Sequence, residues 1–187
     1  QAAKRKVRNA RWILGTAEEK IRTLGKFRLV MMGASFHWMK RQKSVLKAVY
    51  ECLEPGGGLV LLHNPSSGWR HQTEKWKAVR KRIVQKYLGK KRRAGNSFYK
   101  EADEWWEDML DAPPFGGHEE WNYSYLLSWK LNEVIGYLYS TSFASRRLFG
   151  ERLPKFEREL KAALLKVEPS GVFRERVRLQ ALIARKK

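Results

Sequence analysis

Hydrophobic positions along this chain fall into distinct spacings, and each change of spacing marks an element. Residues 27–32 are apolar at every position except Arg28, which predicts a strand buried on both faces, as in the centre of a parallel sheet. Val45, Leu46, Val49, Cys52 and Leu53 then recur at helical spacing and predict a helix over residues 43–53. Pro55, Gly56, Gly57 and Gly58 predict a turn that stops this helix, and residues 59–62 form a second apolar run. Strand, crossover helix and strand in that order predict two parallel neighbours in one sheet.

Before this unit, residues 1–8 read as the tail of a helix and residues 11–14 (Arg-Trp-Ile-Leu) as a short strand stopped by Gly15. Thr16 and Glu19 stand at capping-box spacing and predict a helix start. After the unit, residues 73–88 read as a helix, with Trp76, Val79, Ile83 and Tyr87 on one face and Lys77, Arg80, Lys81 and Lys86 on the other. Residues 90–93 continue the positive charge into a loop, residues 101–110 read as an acidic helix, and Pro113 to Gly117 make a break. Residues 121–127 alternate as a strand does, and residues 131–140 and 153–167 read as helices. Phe173, Val177, Leu179, Ala181 and Ile183 keep a period of two, interrupted in kind only by Glu175, and predict an antiparallel final strand.

A hydrophobic fraction of 43% with 12% aromatics supplies a core and excludes wholesale disorder. The outlying property is charge: 39 basic against 19 acidic residues give a formal +20, which attracts polyanions such as nucleic acid or anionic lipid. Residues 75–93 concentrate that charge around Trp76 and Tyr87, a pattern that could track a phosphate backbone or simply clothe the solvated face of a packed helix. A single cysteine, Cys52, excludes an internal disulfide and a cysteine-based zinc site; its apolar setting predicts a buried, inert thiol and a cytoplasmic location. No apolar run reaches the length of a membrane span. No residue cluster suggests a metal site.

Residues 15–18 (Gly-Thr-Ala-Glu), 27–30 (Phe-Arg-Leu-Val), 36–38 (Phe-His-Trp) and 53–57 (Leu-Glu-Pro-Gly-Gly) together resemble the second half of class I S-adenosylmethionine-dependent methyltransferases. The similarity is to the type 11-like subgroup with a His-Trp pair after its fourth strand; its recognisable motifs cover about residues 9–63, and residues 136–143 and the closing strand also look similar to that subgroup. The fold it implies is α/β: a Rossmann-like methyltransferase sheet with helices on both faces and an antiparallel C-terminal strand. The implied cofactor is S-adenosylmethionine. By the resemblance, Gly15, Thr16, Ala17 and Glu18 match the turn that cradles the adenine ring. Gly33, Ala34 and Ser35 match the rim facing the cofactor's methionine part, with Phe36, Trp38 and Tyr139 lining the acceptor pocket. His37 is the first choice for orienting or deprotonating an acceptor group, with Tyr139 second. For Trp38, packing beneath the following helix is favoured over walling the pocket.

Of the 14 glycines, none forms a G-x-G-x-x-G loop after an N-terminal strand, and the acidic ribose anchor of the family also has no counterpart. The family's first two strands lie between its third and fourth, so their absence would leave a gap of roughly 14 Å beside the strand at residues 27–32. The chain is therefore expected to be one methyltransferase-like domain over residues 1–187, N-terminally truncated, with residues 70–118 as a helical, basic insertion or cap. The expected function is methyl transfer to a small-molecule acceptor; either another polypeptide supplies the missing strands, without which this fragment is expected to be inactive, or the chain has rearranged its sheet. The alternative is a nucleic-acid-binding or structural protein on a degenerate methyltransferase scaffold, acting through residues 75–93.

Overall fold

Ala17–Lys20 forms a single turn of helix, α1, and the strand–helix–strand unit follows it. In the computed structural model, which describes residues 7, 9–65, 74–91, 93–94, 97–98 and 105–187, β1 (Phe27–Gly33) leads through a 3-10 turn into α2 (Gln42–Cys52) and then β2 (Leu53–His63). The two strands pair in parallel, with Val30 beside Leu59, Met31 beside Val60 and Met32 beside Leu61. Helical spacing in α2 turns Val45, Leu46, Ala48, Val49 and Cys52 to one side, and all five are buried. The Cys52 thiol points at the Ile21 carbonyl (3.4 Å), as an inert core thiol should.

The remaining elements are α3 (Lys75–Leu88), the two-residue antiparallel pair β3 (Arg93–Ala94) and β4 (Ser97–Phe98), α4 (Trp106–Asp111), β5 (Glu119–Lys130), α5 (Leu131–Ser140), α6 (Leu153–Val167) and β6 (Val172–Arg185). The main sheet runs β1-β2-β6-β5. β6 is antiparallel to β2: Gly56 N–H donates to the Lys186 carbonyl, Lys186 N–H donates to that of Gly57, and Gly58 lies against Ala184. It is antiparallel to β5 as well, since Glu119 meets Arg185 at one end and Trp129 meets Glu175 at the other.

The chain divides into two compact units. The first comprises Gln1–Leu62, Glu104–Trp121 and Ala181–Lys187, and its core joins Met32, Leu46, Val49, Leu53, Leu59, Leu61, Leu110, Phe115 and Leu182. Lys186 ties the last strand down by donating to the carbonyls of Tyr50 (2.9 Å) and Leu53 (3.0 Å). The second comprises His63–Asp103 and Asn122–Gln180. There Trp76, Ile83, Val134, Leu138, Phe149, Phe156, Leu160, Leu164 and Phe173 form the core. Helices α3 and α6 pack together through Tyr87 and Phe156, whose rings meet edge-on at 5.3 Å.

Four expectations need correction. Residues 11–14 form no strand, and Trp12, Ile13 and Leu14 are exposed; among the described residues no strand pairs with them to take up their backbone groups. β1 is an edge strand of the described sheet rather than a central one, and it is buried on one face only: Met32 is 6% exposed, whereas Leu29 and Met31 on the other face are 55% and 60% exposed. Gly56 to Gly58 are not a turn before β2 but part of it. The strand bulges there, Phe27 pairing with Leu53 and Leu29 with Gly58, and a Cβ on Gly57 would stand 2.9 Å from the Glu54 carbonyl oxygen. Lys77, assigned to the solvated face of its helix, is buried. The helices at Leu131–Ser140 and Leu153–Val167 begin and end as their spacing predicts. The expected tail at residues 1–8 falls mostly outside the described residues, as does much of the acidic helix at 101–110, of which Trp106–Asp111 is seen.

Candidate functional site

Past the C-terminal end of β1 the chain turns on small residues. Gly33 and Ala34 are exposed, and a Cβ built on Gly33 would meet nothing within 4 Å. Ala34 holds a positive φ of 47°, a left-handed conformation costing a non-glycine residue roughly 1 kcal/mol. Its N–H donates to the Leu62 carbonyl at 2.8 Å, fixing this turn to the end of the neighbouring strand. Strain of this kind persists only where surrounding structure enforces it, and it is concentrated at ligand-binding turns. The result is an open stretch of backbone that a ligand can approach closely.

An aromatic group closes one side. Phe36 is fully buried and its ring meets Trp106 of α4 edge-on at 5.4 Å; Gln42 donates to the Phe36 carbonyl at 3.0 Å. The half-buried His37 ring lies 4.6 Å from Trp38 and stacks parallel to Trp106 at 6.3 Å. Trp38 is half exposed beside the His37 ring. Trp106 was missed by sequence reasoning. The signal was the Trp105–Trp106 pair preceding an acidic turn, but spacing alone gave no reason to bring it to His37.

Gly15 to Glu18 belong to the same unit. Gly15 adopts φ 148° and Thr16 stands at the N-cap of α1, exposed and without the side-chain cap bond its spacing suggested. Tyr139 lies in the second unit, amid Phe149 and Phe156. Its hydroxyl donates to Glu157 at 3.3 Å and Arg146 sits over its ring at 5.0 Å. Desolvation, with Glu157 nearby, pushes its pKa up to about 12. The phenol stays protonated at neutral pH, which suits hydrogen-bond donation and not general-base work. A separate pair in that unit joins His63 Nε2 to Gln180 Oε1 at 2.6 Å.

The basic helix α3 spends much of its charge on its own fold. Lys77 lies between Glu175 and Glu74, the latter at 3.1 Å, and Glu175 also accepts from the Trp129 indole at 2.7 Å. Arg80 covers the Trp76 ring at 5.3 Å, and burial pulls its pKa below the usual arginine value. Lys86 pairs with Glu159 at 2.6 Å, whose carboxyl is held below the usual range by the Lys86 and Tyr87 hydrogen bonds. Lys75, Arg82 and Lys90 are exposed; Arg92 and the side chain of Arg93 lie outside the described residues. Among the described residues no His, Cys, Asp or Glu cluster is placed to hold a metal, and no helix is long and apolar enough to cross a membrane.

No protein-family model and no curated protein matches the chain. Among solved structures it is similar to the YcgJ protein of Bacillus subtilis, with a TM-score of 0.50 and 12% identity over 100% of this chain and 75% of that one. The fold is α/β and Rossmann-like. Two weaker likenesses are to a Bacillus halodurans protein described as a "putative methyltransferase" (TM-score 0.45, 18% identity, 92% of this chain and 69% of that) and to the MccD protein (0.41, 16%, 87% and 62%). At these identities the likeness concerns the fold alone.

Proposed function

We propose that the chain is a methyltransferase domain that receives S-adenosylmethionine at the rim beyond β1 and serves a small-molecule acceptor. The observation that carries this reading is the open Gly33–Ala34 turn at the C-terminal end of a parallel strand, with Ser35 and the His37–Trp38–Trp106 aromatic group beside it. Ligands of open α/β sheets bind outside such strand ends. Small exposed residues let the methionine part approach the backbone, while Gly15 to Glu18 would take the adenine. The bound cofactor supplies an electrophilic methyl group. His37 orients the acceptor and accepts a proton where the acceptor is acidic; for a neutral acceptor, positioning by the aromatic walls is what the chain contributes. Among the described residues no Gly-rich loop is placed to hold the ribose and β1 pairs along one edge, with β2, so on this reading tight binding and turnover call for a further strand beside β1.

Mapping amide shifts while titrating the chain with S-adenosylhomocysteine tests the reading. Binding in the millimolar range, worth about −4 kcal/mol, is expected to shift Gly33 to Trp38 and Gly15 to Glu18. Shifts confined to other residues, or none at saturating ligand, would overturn it.

A further inference from the structure

Residues of β6 alternate across the sheet. Its odd positions Phe173 and Val177 are buried, and Phe173 belongs to the helical core of the second unit. Its even positions Arg174, Arg176 and Arg178 all point to the opposite face, and all three are exposed. The antiparallel register that sets Trp129 against Glu175 and Glu119 against Arg185 places Lys130, Ser128 and Leu126 of β5 beside these arginines. Those three neighbours are exposed too. Among the described residues none of the three guanidinium groups has an ion-pair partner. The nearby Glu74 carboxylate accepts the Arg176 backbone N–H at 3.4 Å and is matched by Lys77. The backbone beneath is anchored, the Trp76 indole donating to the Arg174 carbonyl at 3.0 Å.

We infer that Arg174, Arg176 and Arg178 form a binding stripe for the phosphodiester backbone of a nucleic acid. Successive same-face residues on a strand stand about 6.8 Å apart, so three forked donors span about 14 Å in a line. A linear array of cations on a fixed strand fits a linear polyanion. A membrane surface asks in addition for inserted apolar side chains, and among the described residues of these two strands this face offers only Leu126 and Val172 beside the arginines, neither of them aromatic. The exposed aromatics Trp121, Tyr123 and Tyr125 occupy odd positions of β5 and therefore the other face, so bases cannot stack on this one. Recognition is consequently of backbone and not of sequence. This surface is separate from the basic run of α3, whose Lys77, Arg80 and Lys86 are taken up by packing and pairing.

The test is fluorescence anisotropy with labelled single-stranded RNA and duplex DNA oligonucleotides across a salt series. Wild type is compared with a β6 triple variant (R174Q, R176Q, R178Q), its lysine counterpart (R174K, R176K, R178K) and an α3-side control of equal charge change (K75Q, R82Q, K90Q). Three neutralised phosphates contribute a log–log salt slope of about −2 for single strands and about −2.7 for duplex. The β6 glutamine variant should lose that increment, and at about 50 mM salt bind at least roughly 20-fold more weakly, while the lysine variant keeps the slope. The control should change affinity less than threefold or so. Equal losses in the two glutamine variants would mean diffuse attraction by net charge and would overturn the stripe. So would a β6 variant that melts like wild type yet binds unchanged, or a larger loss on phosphatidylserine vesicles than on nucleic acid.

Discussion

Replacing Lys77 by Met tests whether α3 is held to the sheet by a buried ion pair or merely displays a charged face. Lys77 has a side chain 9% exposed, between Glu175 at 14% and Glu74 at 18%. Removing one member of such a pair strands the other's charge, typically at about 3–5 kcal/mol. Here Glu175 keeps its 2.7 Å hydrogen bond from the Trp129 indole, and Arg80 lies within electrostatic reach, so the loss should sit near the lower bound, about 3 kcal/mol. For a chain of this size that is a fall in Tm of roughly 6–12 °C. Thermal unfolding followed by circular dichroism measures it. Adding Glu175→Gln removes the stranded charge while leaving an acceptor for Trp129, so the double variant should recover part of the loss. A single-variant fall below about 2 °C, or a double variant worse than the single, would refute the reasoning and return Lys77 to solvent.

Three further outcomes follow from the geometry. Gly57→Ala should destabilise by about 1–3 kcal/mol in chemical denaturation, because its Cβ would stand 2.9, 3.1 and 3.2 Å from the carbonyl oxygens of Glu54, Arg28 and Phe27. Gly58→Ala, whose nearest neighbour is the Ala184 carbonyl oxygen at 3.7 Å, should cost less than about 1 kcal/mol. Leu29→Lys with Met31→Lys should reduce concentration-dependent association in light scattering without lowering Tm, since both side chains lie exposed on the edge strand. Tyr139, with its pKa raised from the ordinary 10.0 to about 12, favours folding most below pH 10 and gives that contribution up as pH climbs through 12. Tyr139→Phe should therefore remove one late-titrating phenol from the ultraviolet titration and flatten the alkaline loss of stability.

Spacing carried most of the elements because their periods are enforced locally. The 3.6-residue recurrence of Phe156, Leu160 and Leu164 marks α6, and the twofold recurrence of Phe173 and Val177 marks β6. Relations fixed by distant partners stayed out of reach. Residues 27–32 read as central because apolar side chains on both faces look alike whether or not a neighbour exists. Trp12 to Leu14 carry strand propensity but join no strand among the described residues. At the site, Gly33 to Trp38 could be picked out as a small-residue rim, yet the stacking of His37 on Trp106 depends on where α4 lands, far along the chain.

The charge of +20 illustrates the same division between local and distant causes. In sequence its densest part is α3, where composition makes it conspicuous. A helix, however, turns residues through all directions, and two of those cations meet carboxylates supplied by β6 and α6: Glu175 for Lys77, Glu159 for Lys86. A strand offers only two directions, so once Phe173 and Val177 are committed to the core, Arg174, Arg176 and Arg178 are committed to the other side together. The sparser run thus becomes the denser surface.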